Sequence, residues 1–197
     1  MIEAVLFDLD NTLVDRDRAF NDCLCAEFPD PVAREELCRL DQRERGDRAI
    51  LLHAWKSHGG TPLTNLELGS RIAERVQSDS GLLESLSMLR AKFKAGIVTN
   101  GSSQVQRGKI RTSGLAGVFP PDECWVSEEV GVGKPHPAIF LMAAKSLAVA
   151  PERCLFVGDY WPHDGVGAQA AGMRGRIVDQ VMNAERLAAL LQEEGLR

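Results

Sequence analysis

Long apolar runs, paired cysteines and a surplus of positive charge are all missing from this chain, and each absence closes off a class of protein. No stretch approaches the roughly twenty apolar residues that a membrane-spanning helix needs. The five cysteines, Cys23, Cys25, Cys38, Cys124 and Cys154, form no CxxC pair. Their odd number suits reduced thiols in a cytoplasmic protein, and Cys23 and Cys25, two apart, are expected on different faces of one helix. A formal net charge of -5 argues against a nucleic-acid protein that works by broad phosphate neutralisation. No signal peptide is expected, since the first strand-like segment begins almost at Met1. Internal repeats and low-complexity segments are absent as well.

What is present is the composition of a globular chain. The 197 residues are 44% hydrophobic and 26% charged, enough for a medium-sized domain or a core domain with an inserted subdomain. The stretch that organises the rest is Val5-Leu6-Phe7-Asp8-Leu9-Asp10-Asn11-Thr12. Residues 4–7 are apolar and read as a short buried strand. It ends in two carboxylates spaced i, i+2, followed by a hydroxyl residue. In an open parallel sheet, ligands bind beyond the carboxyl ends of the strands. Two acids there repel each other unless a cation or a shared proton relieves them. A hard divalent ion such as Mg2+ answers that need; the plainer reading is that acids punctuate a turn.

From residue 16 to residue 80 the chain is rich in Arg, Glu, Leu and Ala without strand-like alternation. Helices are expected over about 16–28, 32–45, 47–58 (closing on Gly59-Gly60) and 64–78. The last opens on Thr64-Asn65-Leu66-Glu67, the spacing of a capping box. From Gly81 onward strands and helices alternate. Strands are expected over 95–99, 124–126 and 154–157, with a last one starting at Arg176. Helices are expected over 82–92, from 102 to near Gly114, and over 137–147, 164–171 and 184–194. This order predicts an α/β fold, a doubly wound parallel sheet of Rossmann-like type. Residues 1–15 and 81–197 would form the core, and 16–80 an inserted all-helical unit.

Three later strand ends carry polar groups. Thr99-Asn100-Gly101 precedes a helix, where a hydroxyl, an amide and free N–H groups could cradle an anion or simply cap the helix. Lys134 follows two glycines and precedes a proline, placed to neutralise a phosphate or to be a solvated loop lysine. It is no Walker A lysine, because Glu128 and Pro135 occupy the places where that motif needs Gly and Ser/Thr. Asp159, with Asp164 further along, would add carboxylates to a site that already has two, reasonable around a cation. Read singly, these are a turn residue and a helix-start residue.

Taken together and in order, these four motifs resemble those of the haloacid dehalogenase-like superfamily, and residues 16–80 resemble its helical cap. The resemblance implies phosphoryl transfer through an aspartyl-phosphate. Asp8 would be the nucleophile. Asp10 would protonate the leaving alcohol and then activate water. Mg2+ would be held by Asp8, the Asp10 main-chain carbonyl and Asp159, with Asp164 either a further ligand or an anchor acting through water. Thr99, Asn100 and Lys134 would hold the transferring oxygens, and Thr12 would orient the loop. The dehalogenating branch lacks an acid at position 10, so a phosphatase is implied, acting on a small phosphorylated metabolite. A phosphomutase and a phosphoryl-accepting switch without turnover remain open. Tyr160, Trp161 and Pro162 are bulkier than is usual between the two acids and could narrow the mouth of the site or pack under the cap. Arg174 and Arg176 match no motif. In the inserted unit, Arg43, Arg45, Arg48, His53, Trp55 and Lys56 are the candidates for substrate contact.

Overall fold

The computed structural model describes residues 1–43 and 48–196. Five strands, β1 (Ala4–Phe7), β2 (Lys94–Thr99), β3 (Cys124–Val126), β4 (Cys154–Gly158) and β5 (Arg174–Ile177), form one parallel sheet in the order β3-β2-β1-β4-β5. The central strand β1 shows why so short a run holds its place. All four residues are buried, and alternate side chains enter opposite faces. Val5 and Phe7 join one apolar cluster, Ala4 and Leu6 the other, as the period-two pleat requires of a strand covered on both sides.

Ten helices are described. Four lie between β1 and β2: α1 (Arg16–Glu27), α2 (Pro31–Arg43), α3 (Ala49–Ser57) and α4 (Asn65–Arg75). They are followed by α5 (Ser80–Arg90), α6 (Ser103–Thr112), a four-residue α7 (Ser127–Val130), α8 (Pro137–Ser146), α9 (Asp164–Ala170) and α10 (Ala184–Glu193). The capping box is formed: Thr64 Oγ1 accepts from Glu67 N, and Thr64 N donates to Glu67 Oε2 at 2.6 Å, worth about 1 kcal/mol. Cys23 is buried and Cys25 exposed, as their spacing implies. No described helix is long and apolar enough to cross a membrane.

The interior of the inserted helices is continuous with one face of the sheet. Phe20, Leu24, Trp55 and Leu68 belong to the same cluster as Val5, Phe7 and Ile97. Trp55, one of the candidates for substrate contact, is therefore a core residue. It packs edge-on to Phe28 at 4.8 Å and donates Nε1–H to the Thr61 carbonyl. Helix α4 seats on α6 so closely that a β-carbon on Gly69 would lie 2.7 Å from a Val105 methyl.

The last strand begins at Arg174, two residues before its expected start. β5 is the sheet edge and is half exposed, so its arginines can reach out and pair with the C-terminal end of α10 and the residue that caps it: Arg176 with Glu193, and Arg174 with Glu194 at 2.9 Å. Those pairs account for two residues that match no motif.

Candidate active site

The carboxyl ends of β1, β2 and β4, with the loop that follows α7, open into one cavity of about 580 Å³. Asp8 lies one residue beyond β1. Its main chain is fixed by donation to the Val157 carbonyl at 2.8 Å. After it the chain turns sharply. Asn11 adopts the left-handed region (φ 56°), which Asn tolerates better than most residues, while Leu13 N and Val14 N both donate to the Leu9 carbonyl. Asp10 is thereby aimed away from Asp8.

Asp8 is part of a buried acidic group. Lys134 Nζ donates to Asp8 Oδ1 at 2.5 Å and to Asp164 Oδ1 at 2.7 Å. Asp164 opens α9 and accepts from Tyr160 N through its other oxygen. It approaches Gly158 so nearly that a β-carbon there would sit 2.4 Å from its carboxyl, which is why β4 must end in glycine. Asp159 completes the group: one carboxylate oxygen each from Asp8, Asp159 and Asp164 lies within 4.8 Å of the others. Burial, then the Asp164 charge, push the Asp8 carboxyl up to about 7 even though Lys134 opposes them. One lysine is shared by two of these acids, Asp8 and Asp164. Hard oxygen donors with excess negative charge are the donor set that a divalent ion such as Mg2+ takes, so these residues fit one.

Asp10 has a different neighbourhood. Lys109 Nζ, on α6, lies 2.7 Å from both of its oxygens. Gln106, one turn earlier, donates to Asp10 Oδ2 at 3.1 Å and to Thr99 Oγ1 at 2.5 Å, while its own oxygen accepts from Lys109. Burial alone would raise Asp10, but Lys109, helped by the Arg16 charge and the Gln106 hydrogen bond, outweighs it and holds the carboxyl below its ordinary range. Neither Gln106 nor Lys109 is signalled by a strand end; their i, i+3 spacing on one helix face is the only hint, and it needs the fold to be read.

The remaining candidates divide. Thr99 is buried and lines the cavity. Asn100 also lines it, but its carboxamide is committed to Lys134: Nδ2 donates to the Lys134 carbonyl and Oδ1 accepts from Lys134 N, both at 2.8 Å. Its side chain therefore anchors the lysine loop. Thr12 Oγ1 is buried with no hydrogen-bond partner among the described residues. What ties that loop down is its carbonyl, which accepts from Met182 N at 2.7 Å. Tyr160 lines the cavity, whereas Trp161 is largely exposed and lies over Gly165. Of the candidates in the inserted helices, Arg48 lines the cavity, and His53 and Lys56 are exposed. Arg45 and the side chain of Arg43 lie outside the described residues. Arg16 and Asp41, which no motif flags, pair bidentately at the cavity wall, with Arg16 Nη2 to Asp41 Oδ1 at 2.6 Å.

Comparison with known proteins identifies the family. The family model of the haloacid dehalogenase-like hydrolases matches residues 2–172. A glyceraldehyde 3-phosphate phosphatase of Methanopyrus kandleri is 33% identical, over 88% of this chain and 82% of its own. A phosphoserine phosphatase of Thermus thermophilus is 42% identical over 73% of this chain and 57% of its own. Among solved structures, a HAD family hydrolase from Deinococcus radiodurans with bound phosphate and sodium superposes with a TM-score of 0.69 at 26% identity, covering 99% of this chain and 97% of that one. The chain belongs to the haloacid dehalogenase-like hydrolase family. Its class is that of an enzyme, and the phosphatase names of its relatives support a phosphoric monoester hydrolase.

Proposed function

We propose that this chain is a Mg2+-dependent phosphatase that cleaves a small phosphate monoester through an aspartyl-phosphate on Asp8. The observation that carries the proposal is the division of labour between two acids only two residues apart. Asp8 must share Lys134 with Asp164, whereas Asp10 has both its oxygens on Lys109. Bound beside Asp8, with Asp159, Asp164 and the Asp10 carbonyl as the other ligands, Mg2+ would supply the positive charge that a transferring phosphoryl group needs.

The chain's own groups do the rest. Asp8 Oδ attacks phosphorus in line, and the P–O bond to the alcohol breaks as Asp10 delivers a proton to the departing oxygen. Water then attacks the phosphorus of the aspartyl-phosphate while Asp10 takes its proton, releasing phosphate and free Asp8. In its Lys109-bound state Asp10 is ionised, ready for the second step. An arriving phosphate dianion raises the proton affinity of nearby carboxylates and so favours the acid form for the first. Lys134, the Thr99 hydroxyl and the Asn100 main chain face the transferring oxygens, and Asn100 holds Lys134 in place. The helices α1–α4 act as a cap that roofs this chemistry.

The test is phosphate release from p-nitrophenyl phosphate and from an alkyl phosphate, with Mg2+ and after exhaustive chelation. Many turnovers per protein with Mg2+ and almost none without are expected. Full activity after chelation would remove the metal. Phosphorylation that stops at one equivalent would make the protein an acceptor, and transfer to a sugar phosphate without net release would make it a mutase.

A further inference from the structure

Four cationic side chains line the cavity among the described residues: Arg16, Arg48, Lys109 and Lys134. Three are engaged. Lys134 is shared by Asp8 and Asp164, Lys109 grips Asp10, and Arg16 holds Asp41 and Asp17. Arg48 is the exception. It stands at the start of α3, half-buried, and while its carbonyl accepts from Leu52 N, its guanidinium makes no hydrogen bond or ion pair with any described residue. A guanidinium cannot shed its proton to escape a partly dry site, so its charge and donors are available to whatever enters.

Two further facts narrow what that is. Arg48 shares the cavity wall with Arg16, Asp41, Asp10 and Lys109. It feels the charges of Arg16 and Asp41 first and Asp10 after them, while Lys109 feels Arg48 in turn. That is the side of the cavity where Asp10 would meet the leaving group. The wall is otherwise rich in acids, Asp17, Asp41 and Glu128 among them. A singly charged partner is matched by one arginine, whereas a second phosphate would bring another dianion among these carboxylates. The planar fork of a guanidinium also fits a carboxylate through two parallel hydrogen bonds.

We propose that Arg48 receives a carboxylate carried by the leaving group a few bonds from the phosphate ester, so that the preferred substrates are small phospho-carboxylates. This rests on the phosphatase reading above and assigns its substrate class. It sets the chain apart from an enzyme built for phosphorylated polyols or aldehydes, whose leaving groups offer hydroxyls or a carbonyl instead.

The experiment compares 2-phosphoglycolate with ethyl phosphate, which carries a methyl where the first has its carboxylate, in the full chain with saturating Mg2+. The wild type should favour phosphoglycolate in kcat/KM by roughly 10- to 100-fold, the scale of a charge-assisted hydrogen-bonded contact. In Arg48→Gln that ratio should collapse toward one, and Arg48→Lys should keep part of it. Intrinsic differences between the two esters cancel when ratios are compared across variants. Equal kcat/KM in the wild type, with both esters hydrolysed, overturns the proposal and leaves the phosphatase standing. A preference that survives Arg48→Gln also overturns it, by giving the carboxylate another partner. No turnover of either ester or of p-nitrophenyl phosphate would instead count against the phosphatase. Should Arg48→Gln fail to fold, the wild-type ratio and Arg48→Lys decide.

Discussion

Asp8 and Asp10 share a strand end, a cavity and a buried lysine apiece, yet burial drives one carboxyl up to about 7 while the other is held low. The difference lies in how many acids each lysine must serve. Lys109 answers Asp10 alone, with Gln106 filling the remaining hydrogen bonds. Lys134 is divided between Asp8 and Asp164, with Asp159 close by. Desolvation is common to both, so charge stoichiometry decides between them. A group left short of positive charge is one prepared for a cation and an electrophile. A balanced one is prepared to move a proton.

The sharpest way to break that contrast is to neutralise each acid. Asp8→Asn should lower turnover by on the order of 10⁵-fold or more for every phosphate ester, as loss of a covalent nucleophile does. Asp10→Asn should cost roughly 10²–10⁴-fold with alkyl phosphates, the range of general acid catalysis. With p-nitrophenyl or acetyl phosphate it should instead leave a stoichiometric burst followed by slow release, because those leaving groups depart without a proton. Rapid-quench measurement of phosphate and of phosphorylated protein checks both. Equal losses for all substrates and no burst would make Asp10 a positioning residue.

The lysines offer a second test, read as stability in denaturant. Lys109→Met leaves Asp10 charged and poorly compensated, at a cost of about 3 kcal/mol, and Asp10→Asn in the same chain should recover much of it. Mg2+ should not rescue Lys109→Met, whereas it should rescue a substantial part of the loss in Lys134→Met. Identical responses to the ion would erase the distinction.

The smallest effect is one of pH. In the metal-free protein Asp8 has a folded pKa of about 7, above its unfolded value of about 3.9. The folded state therefore binds the extra proton, and stability falls as pH rises through that window. Between about pH 6 and about pH 8 the loss should be about 1.4 kcal/mol. Saturating Mg2+ should flatten that slope by keeping Asp8 ionised, so urea unfolding at the two pH values, with and without the ion, reads it directly.

The residues legible in the sequence were those that topology alone delivers. Asp8, Asp159 and Lys134 converge because parallel strands bring their carboxyl ends to one edge, and a short motif at each end can be read without coordinates. Gln106 and Lys109 were not legible, since on paper they are ordinary polar positions in a helix, and only the placing of α6 against the loop after β1 turns them toward Asp10. The Arg16–Asp41 pair joins positions 25 apart in sequence, beyond any local pattern. Trp55 misled for the opposite reason. An aromatic in a charge-rich segment resembles a substrate contact until Phe28 is seen against it. The start of β5 was late because an edge strand need not be apolar when its arginines find acids at the end of a neighbouring helix.

Helix α6 carries the seat for α4 and the two residues that hold Asp10, and at that seat the chain has room only for Gly69 against Val105. The solvent-facing positions of the inserted helices are free to drift, as the many exposed residues of α2 and α3 illustrate. The seam is not. An engineer who grafts a foreign insertion onto this sheet to change what the enzyme accepts must supply a residue without a β-carbon at that one point. Otherwise the graft lifts away from the helix that aims the acid, and a new specificity arrives with a disordered catalyst.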